Sequence, residues 1–300
     1  MNIRPKVLAA AYKLFPFPLK GDAEIGDGDP SCDISCVINF YGRVNLLRGI
    51  LTSLAEQQYD KNKFEVILIE DRGGTSEGKE AAKEFEERIN LRYFTLEENF
   101  GVMGYARNFG LGKAKGKYLL FLDDDTVILD RGFLSKLTEE FAADTDAVIP
   151  RGSASYCLLE GKYSFHDPYF PTNRCMAYKR ETLGELGGFV SEIIGQEDVE
   201  LVVRLTAADK KVRHSKTASY LHPPLITGSL SKAAAVGASF AKLKNRYPFV
   251  IWLMLLLNGS RYFPKLLLPI NTKFRMQGKF SLGFMLGILY SITGKKMEYN

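Results

Sequence analysis

Three adjacent aspartates, Asp123, Asp124 and Asp125, follow directly on the apolar run "YLLFL" at 118–122. Like charges so close together repel, and burying them without partners is costly. They call for a hard cation or a converging set of donors. Mg²⁺ and Mn²⁺ take oxygen ligands, commonly one or two carboxylates, and complete their shell with phosphate oxygens and water. Helix capping is the plainer use of such residues, and Asp130, ahead of "RGFLSKL", suits it. Capping does not account for three aspartates in a row behind a strand. A second carboxylate pair, Glu197 and Asp198, opens "EDVELVVRL". Negative charge at the positive end of a helix is favourable in itself. The same carboxylates could instead take a proton from a hydroxyl nucleophile within hydrogen-bond reach. Both readings stand at this point. His222, in "SYLHPP", is either a structural residue at a strand end or a metal ligand. His166 and His214 have no such context and read as surface or packing residues.

Elements of a particular kind must position these groups. "DISCVINF" (33–40), "FEVILIE" (64–70), "LRYFTL" (91–96), 117–122 and "DAVIP" (146–150) read as strands. Helical patterns separate them at 43–58, 76–90, 103–114 and 131–143. Such alternation with short links predicts a mostly parallel sheet flanked by helices, an α/β fold. Ligands in these sheets sit at the carboxyl ends of the strands, where Asp71 and Asp123–Asp125 both fall. Beyond 150 the alternation weakens, leaving strands at 173–180 and 217–222 and helices at 181–189 and 197–209. In the last of these helices Glu200 and Arg204 are spaced for an i,i+4 pair.

Composition bounds the rest. The 300 residues are 46% hydrophobic and 25% charged, which is globular and excludes a disordered chain. Cys32, Cys36, Cys157 and Cys175 show no paired metal-site spacing and read as reduced thiols of a cytoplasmic protein. The net charge of +5 is unevenly placed. Residues 241–300 carry ten Lys or Arg against one acid, Glu298, so that segment is +9 and the rest −4. Basic residues there bracket "FVIWLMLLL", "KLLLPI" and "LGFMLGILY", which are too short to span a bilayer. This predicts a membrane-surface segment, not a nucleic-acid face, with burial as ordinary core the other reading. "VLAAAY" near the start is cut off by Lys13 and does not read as a signal peptide. The expected organisation is a basic segment and Gly/Asp-rich linker at 1–30, a catalytic domain at 31–228 and a helical extension at 229–300.

The ordered pieces "DISCVINFYGR", "EVILIEDRG", "ENFGVMGYARNFGLGKAKGKYLLFLDDD", "LGGFVSEIIGQEDVELVVRL" and the later "LH" resemble family 2 glycosyltransferases of the GT-A fold, over about residues 33–224. The resemblance implies an inverting, metal-dependent transfer of a sugar from a nucleotide-sugar, most simply a UDP-sugar, to a hydroxyl of a glycan or lipid-linked acceptor. It implies that Asp125 ligates Mn²⁺ or Mg²⁺ on the diphosphate and that Asp123 or Asp124 meets the ribose. Asp71 would contact the base, Asn39 and Tyr41 would lie on the loop cradling it, and Arg107 would face the donor. Asp198 would be the catalytic base, Glu197 would position the acceptor, and His222 would complete the metal shell. Two motifs depart from the family. The usual P-x-Y-N reads Asn39-Phe40-Tyr41-Gly42, and D-D-G-S reads Glu70-Asp71-Arg72-Gly73. Both bear on nucleotide identity. The Q-x-x-R-W motif of processive polymerases is absent, Trp252 being the sole tryptophan, so single transfers are expected. A nucleotidyltransferase of sugar phosphates and a non-catalytic membrane-bound sugar-nucleotide sensor are the alternative readings. Location on the inner face of the cell membrane follows from the basic end.

Overall fold

In the computed structural model, six of the seven strands found among the described residues run in one direction, and the seventh is inserted among them. The structure describes residues 3–141, 144–154, 174–222, 230–268 and 270–294. The strands are β1 (Ile34–Phe40), β2 (Phe64–Glu70), β3 (Leu91–Thr95), β4 (Tyr118–Asp123), β5 (Ala147–Ala154), β6 (Cys175–Lys179) and β7 (Val212–His222). They form one sheet in the order β3-β2-β1-β4-β6-β5-β7. β1 pairs in parallel with β2 and β4, β2 with β3, and β5 with β7, whereas β6 is antiparallel to both β4 and β5. β1, β2 and β4 are apolar and buried nearly throughout, as strands covered on both faces must be.

Two compact units emerge. The sheet unit comprises residues 20–191 and 210–224, and the helical unit comprises 1–19, 192–209 and 225–300. The sheet unit holds α2 (Val44–Ala55), α3 (Ser76–Glu86), α4 (Met103–Lys113), α5 (Phe133–Glu139) and α6 (Arg180–Glu185). Its core joins the strand interiors to Leu47, Ile50, Leu51 and Leu54 of α2 and to Phe85, Phe133, Leu134 and Leu137. Gly110 lets α4 lie close on the sheet, since a Cβ there would come within 2.5 Å of Val37 and 2.6 Å of Ile69.

The polar stretch 21–30 belongs to the sheet unit: Gly21 N–H donates to Leu186 O at 2.7 Å, Ala23 to Gly187 O at 2.8 Å and Asp29 to Lys115 O at 2.8 Å. A Gly- and Asp-rich composition marks a backbone that satisfies its hydrogen bonds along a surface as readily as a free linker. The 192–209 segment groups with the C-terminal helices, so the sheet unit is discontinuous in sequence.

The helical unit contains α1 (Ile3–Leu14), α7 (Glu197–Ala207), α8 (Ser231–Lys242), α9 (Phe249–Ser260) and α10 (Thr272–Ile292). The expected Glu200–Arg204 pair is present and fully buried, with Nε–Oε1 at 2.8 Å and Nη2–Oε2 at 2.6 Å, and Tyr247 donates its hydroxyl to the same Glu200. α8 and α10 approach through glycines: a Cβ on Gly237 would lie 2.0 Å from Phe284 O, and one on Gly287 1.8 Å from Ala234 O. Among the described residues no helix is long and apolar enough to cross a membrane. Cys157 and His166 lie outside the described residues, as do 155–173 of the segment expected near the acceptor. His214 is exposed on β7. Cys32, Cys36 and Cys175 are buried free thiols, and burial raises the pKa of each, that of Cys32 to about 11.

Candidate active site

The three aspartates sit on a turn that closes β4. Thr126 N–H donates to Asp123 O at 3.1 Å, so Asp124 and Asp125 occupy the two central positions. The turn is fastened on two sides. Asp123 N–H and the Thr126 hydroxyl both donate to Arg174 O, at 3.1 and 2.8 Å. Beyond the turn, Val127 and Leu221 form an isolated antiparallel bridge with hydrogen bonds of 2.9 and 2.8 Å. This bridge matters because β4 and β7 are not neighbours in the sheet. It carries the end of β7 across, so that His222 Nε2 lies 2.9 Å from Asp125 Oδ1 and 3.5 Å from Asp123 Oδ2.

Each carboxylate has a distinct environment. Asp123 is met by Arg107 Nη2 at 3.3 Å from α4, and Arg107 itself is buried and lies 5.6 Å from the Phe121 ring centroid. Burial works to raise the Asp123 pKa, but hydrogen bonding from His222 and the charge of Arg107 outweigh it and hold the group well below the usual carboxylate range. Asp124 is pushed up to about 7, chiefly by burial and then by its two neighbouring carboxylates, with Arg43 opposing. Asp125 is lowered: burial acts upward, and His222 and Arg43 overcome it. Burial also acts to lower the His222 pKa, yet Asp123 and Asp125 raise it to about 9. A metal would bind the neutral imidazole and so exchange for that proton.

Ligand-capable atoms of Asp123, Asp125 and His222 all lie within 4.8 Å of one another. Two hard oxygen donors and one imidazole nitrogen suit Mn²⁺, and suit Mg²⁺ less because of the nitrogen. Unspent polar atoms border the group. Asn39, in register with Asp123 on the adjoining strand, has both amide atoms buried without a hydrogen-bond partner, and Asp124 Oδ2 is in the same state. Orphaned atoms of this kind are rare in packed interiors and fit a polar ligand.

Sequence inspection gave Arg43 no role, yet it is central here. Its Nη1 lies 2.8 Å from Asp125 Oδ2 and its Nη2 pairs with Asp124 Oδ1. A single basic residue after Gly42 reads locally as a solvated charge. Only its spacing from the strand end, with Gly42 permitting the turn at φ 59°, hinted that it folds back.

The other expected residues divide by unit. In the sheet unit, Asp71 follows β2 and ties two loops, accepting from Arg72 N at 2.9 Å and from Gly101 N at 2.7 Å. Each of its oxygens keeps a further lone pair for a ligand. Tyr41 is half exposed, with the Arg72 guanidinium 4.8 Å from its ring centroid. The structure thus gathers Asp123, Asp124, Asp125, Arg107 and His222 into one cluster beside Asn39. Glu197 and Asp198 belong to the helical unit, in the first turn of α7 behind the left-handed Gln196. Both are buried, and Asp198 Oδ1 accepts from Val199 N at 2.8 Å.

Comparison with known proteins bears on this arrangement. The model of the family described as "Glycosyl transferase family 2" matches residues 35–187, a stretch that includes the aspartate turn and ends before Asp198 and His222. The chain is 32% identical over 94 residues to the poly(ribitol-phosphate) beta-N-acetylglucosaminyltransferase TarS of Staphylococcus aureus, covering 31% of this chain and 16% of TarS. It is 24% identical over 214 residues to the glycosyltransferase AglE of Haloferax volcanii, covering 66% of this chain and 69% of AglE. The fold is similar to that of the mannosyltransferase PcManGT from Pyrobaculum calidifontis, solved with GDP-Man and Mn²⁺. The TM-score is 0.61 at 15% identity, over 97% of this chain and 95% of that one. It is also similar to S. aureus TarS 1–349 solved with UDP-GlcNAc, with a TM-score of 0.54 at 16% identity over 89% and 94% of the two chains. The match to TarS by sequence therefore spans about a sixth of that relative's length.

Proposed function

The chain belongs to glycosyl transferase family 2, and from that premise we propose that it moves a single sugar from a nucleotide-sugar to an acceptor hydroxyl, with inversion and with a divalent metal. The observation that carries this reading is the cluster of Asp123, Asp125 and His222 at the carboxyl ends of β4 and β7, bordered by the orphaned amide of Asn39. Asp125, His222 and Asp123 would hold Mn²⁺. When bound, the metal supplies Lewis-acid neutralisation of charge on the departing diphosphate. The chain's own residues do the rest. Tyr41 and Asp71 offer an aromatic face and an acceptor to the base, and Asn39 or Asp124 offers polar atoms to the ribose. Arg107 keeps Asp123 ionised and fixed. Asp198 receives the proton of the incoming hydroxyl, with Glu197 beside it to orient the acceptor. Displacement from the face opposite the leaving diphosphate inverts the anomeric centre, by the logic of inverting hydrolases with a sugar or lipid hydroxyl in place of water.

UDP is the favoured nucleotide and a glycan or lipid-linked alcohol the favoured acceptor. We place the protein peripherally on the cytoplasmic face of the membrane, supported by the basic C-terminal segment and the exposed apolar side chains Phe249, Leu253 and Leu257 of α9. The test is a panel of UDP-, GDP- and TDP-sugars scored for donor hydrolysis and for thermal stabilisation with Mn²⁺. At least one donor should be turned over, and EDTA or Asp125→Asn should abolish turnover while the protein remains folded. Full turnover in EDTA by protein free of metal would defeat the metal-dependent reading. Binding of a donor without hydrolysis or transfer would favour a sensor.

A further inference from the structure

We propose that Arg43 is the resident counter-cation of the aspartate turn, which a divalent metal must displace from Asp125, and that the freed guanidinium then serves the diphosphate. The inference rests on the metal–diphosphate reading above and concerns how the site is loaded.

Arg43 is placed with unusual insistence. It follows Gly42 in a second left-handed conformation, φ 46°, a region that long side chains seldom adopt without a compensating interaction. It stands at the start of α2 and makes no side-chain cap there. Its fork is spent on the carboxylates instead. An arginine fork ordinarily meets one carboxylate with two parallel bonds. This one is split, with Nη1 on Asp125 Oδ2 at 2.8 Å and Nη2 on Asp124 Oδ1. The split shares one positive charge between two adjacent carboxylates. The Arg43 side chain is 54% exposed while those of Asp124 and Asp125 are 3% and 11% exposed, so the cation is the partner with room to move.

Asp125 is the point of conflict. Its Oδ1 faces His222 within the ligand-capable cluster, and its Oδ2 is held by Arg43. A divalent cation on this carboxylate and a guanidinium on the same group repel one another, strongly so where both carboxylates are withdrawn from water. Asp124 lies outside the ligand-capable cluster, so the Nη2 contact can persist as a tether. The released Nη1 then has N–H donors to offer the phosphate oxygens that complete the metal's shell. Metal and nucleoside diphosphate thereby assist one another: the metal frees the donor that the diphosphate uses, and the diphosphate gives Arg43 a partner in exchange for Asp125. Such coupling is reciprocal by necessity.

The experiment is a Mn²⁺ titration of the full chain followed by electron paramagnetic resonance of free Mn²⁺, with and without UDP. It compares the native protein with Arg43→Asn, chosen because asparagine accepts a left-handed backbone while removing the charge. Arg43→Gly serves if circular dichroism shows that the first variant misfolds. The native protein should bind Mn²⁺ weakly alone and at least about tenfold tighter with UDP, within the usual range of coupling. In the variant, Mn²⁺ alone should bind about tenfold tighter than to the native protein, and the gain from UDP should largely vanish. Equal or weaker Mn²⁺ binding by the variant without UDP overturns the competition. A full UDP effect in the variant overturns the coupling. No Mn²⁺ binding by the native protein or either variant, with or without UDP, overturns the metal reading itself and this inference with it.

Discussion

Three consecutive aspartates acquire three different characters because each meets a different neighbour. Arg107 and His222 keep Asp123 ionised, burial pushes Asp124 up to about 7, and His222 with Arg43 hold Asp125 low. Their number and their place behind an apolar strand were legible in the sequence. Their partners were less so, because Arg43 and His222 arrive from distant parts of the chain and each looks ordinary in its local context. Asp198 poses the opposite case, since its position in the first turn of a helix suits both a stabilising charge and a base. Replacement separates the two uses. Asp198→Asn keeps the shape and a hydrogen-bond acceptor, so donor binding followed by calorimetry should stay within a few-fold of native. Turnover should fall by about 10² or more, the usual contribution of a general base. A variant that transfers sugar at near-native rate would move the role to Glu197 or remove it from α7 altogether.

Elements were read more securely than their order. β1, β2 and β4 are uninterrupted apolar runs bounded by polar turns, which local periodicity identifies. The insertion of β6 between β4 and β5 depends on pairings between segments far apart in sequence, and a strand's own composition does not choose its neighbour. The Val127–Leu221 bridge was hidden for the same reason, and it is what brings His222 to the aspartates. Glycines at helix contacts were equally silent. Gly287 in α10 would put a Cβ 1.8 Å from a backbone carbonyl of α8, whereas a Cβ on Gly49 in α2 would meet nothing within 4 Å. The two therefore respond oppositely to alanine. Gly49→Ala should stabilise by about 0.5–1 kcal/mol, through helix propensity alone. Gly287→Ala gains the same propensity but must force α8 and α10 apart, and overpacking of about 1–3 kcal/mol leaves it net destabilised. Denaturant midpoints of the two variants check the sign. A Gly287→Ala protein as stable as Gly49→Ala would mean that the α8–α10 contact yields without cost.

At the scale of the whole molecule, the question is what the basic, apolar end does. One reading of its short hydrophobic runs was ordinary core, and α9 shows that this holds for one face of the helix. Ile251, Leu255 and Gly259 are buried at intervals of four, while Phe249, Leu253 and Leu257, also at intervals of four, are exposed. An α-helix that is apolar on its solvated side as well as its packed side has surface to bury against something else. Leu267, Leu268 and Ile270 add exposed apolar side chains before α10, and Lys242, Lys244 and Arg275 are exposed on the same unit. Anionic headgroups attract each nearby Lys or Arg by about 1 kcal/mol, and the apolar side chains add insertion energy. The full chain should therefore co-sediment with vesicles containing phosphatidylglycerol, less with phosphatidylcholine alone, and less at high salt because screening shortens the reach of the charges. The triple variant Phe249→Ser, Leu253→Ser, Leu257→Ser removes only exposed apolar side chains, so it should fold as the native protein does and remain in the supernatant. If the native chain stays in the supernatant at low salt with anionic vesicles, the apolar face of α9 is an interface to protein, and the acceptor need not reside in a membrane.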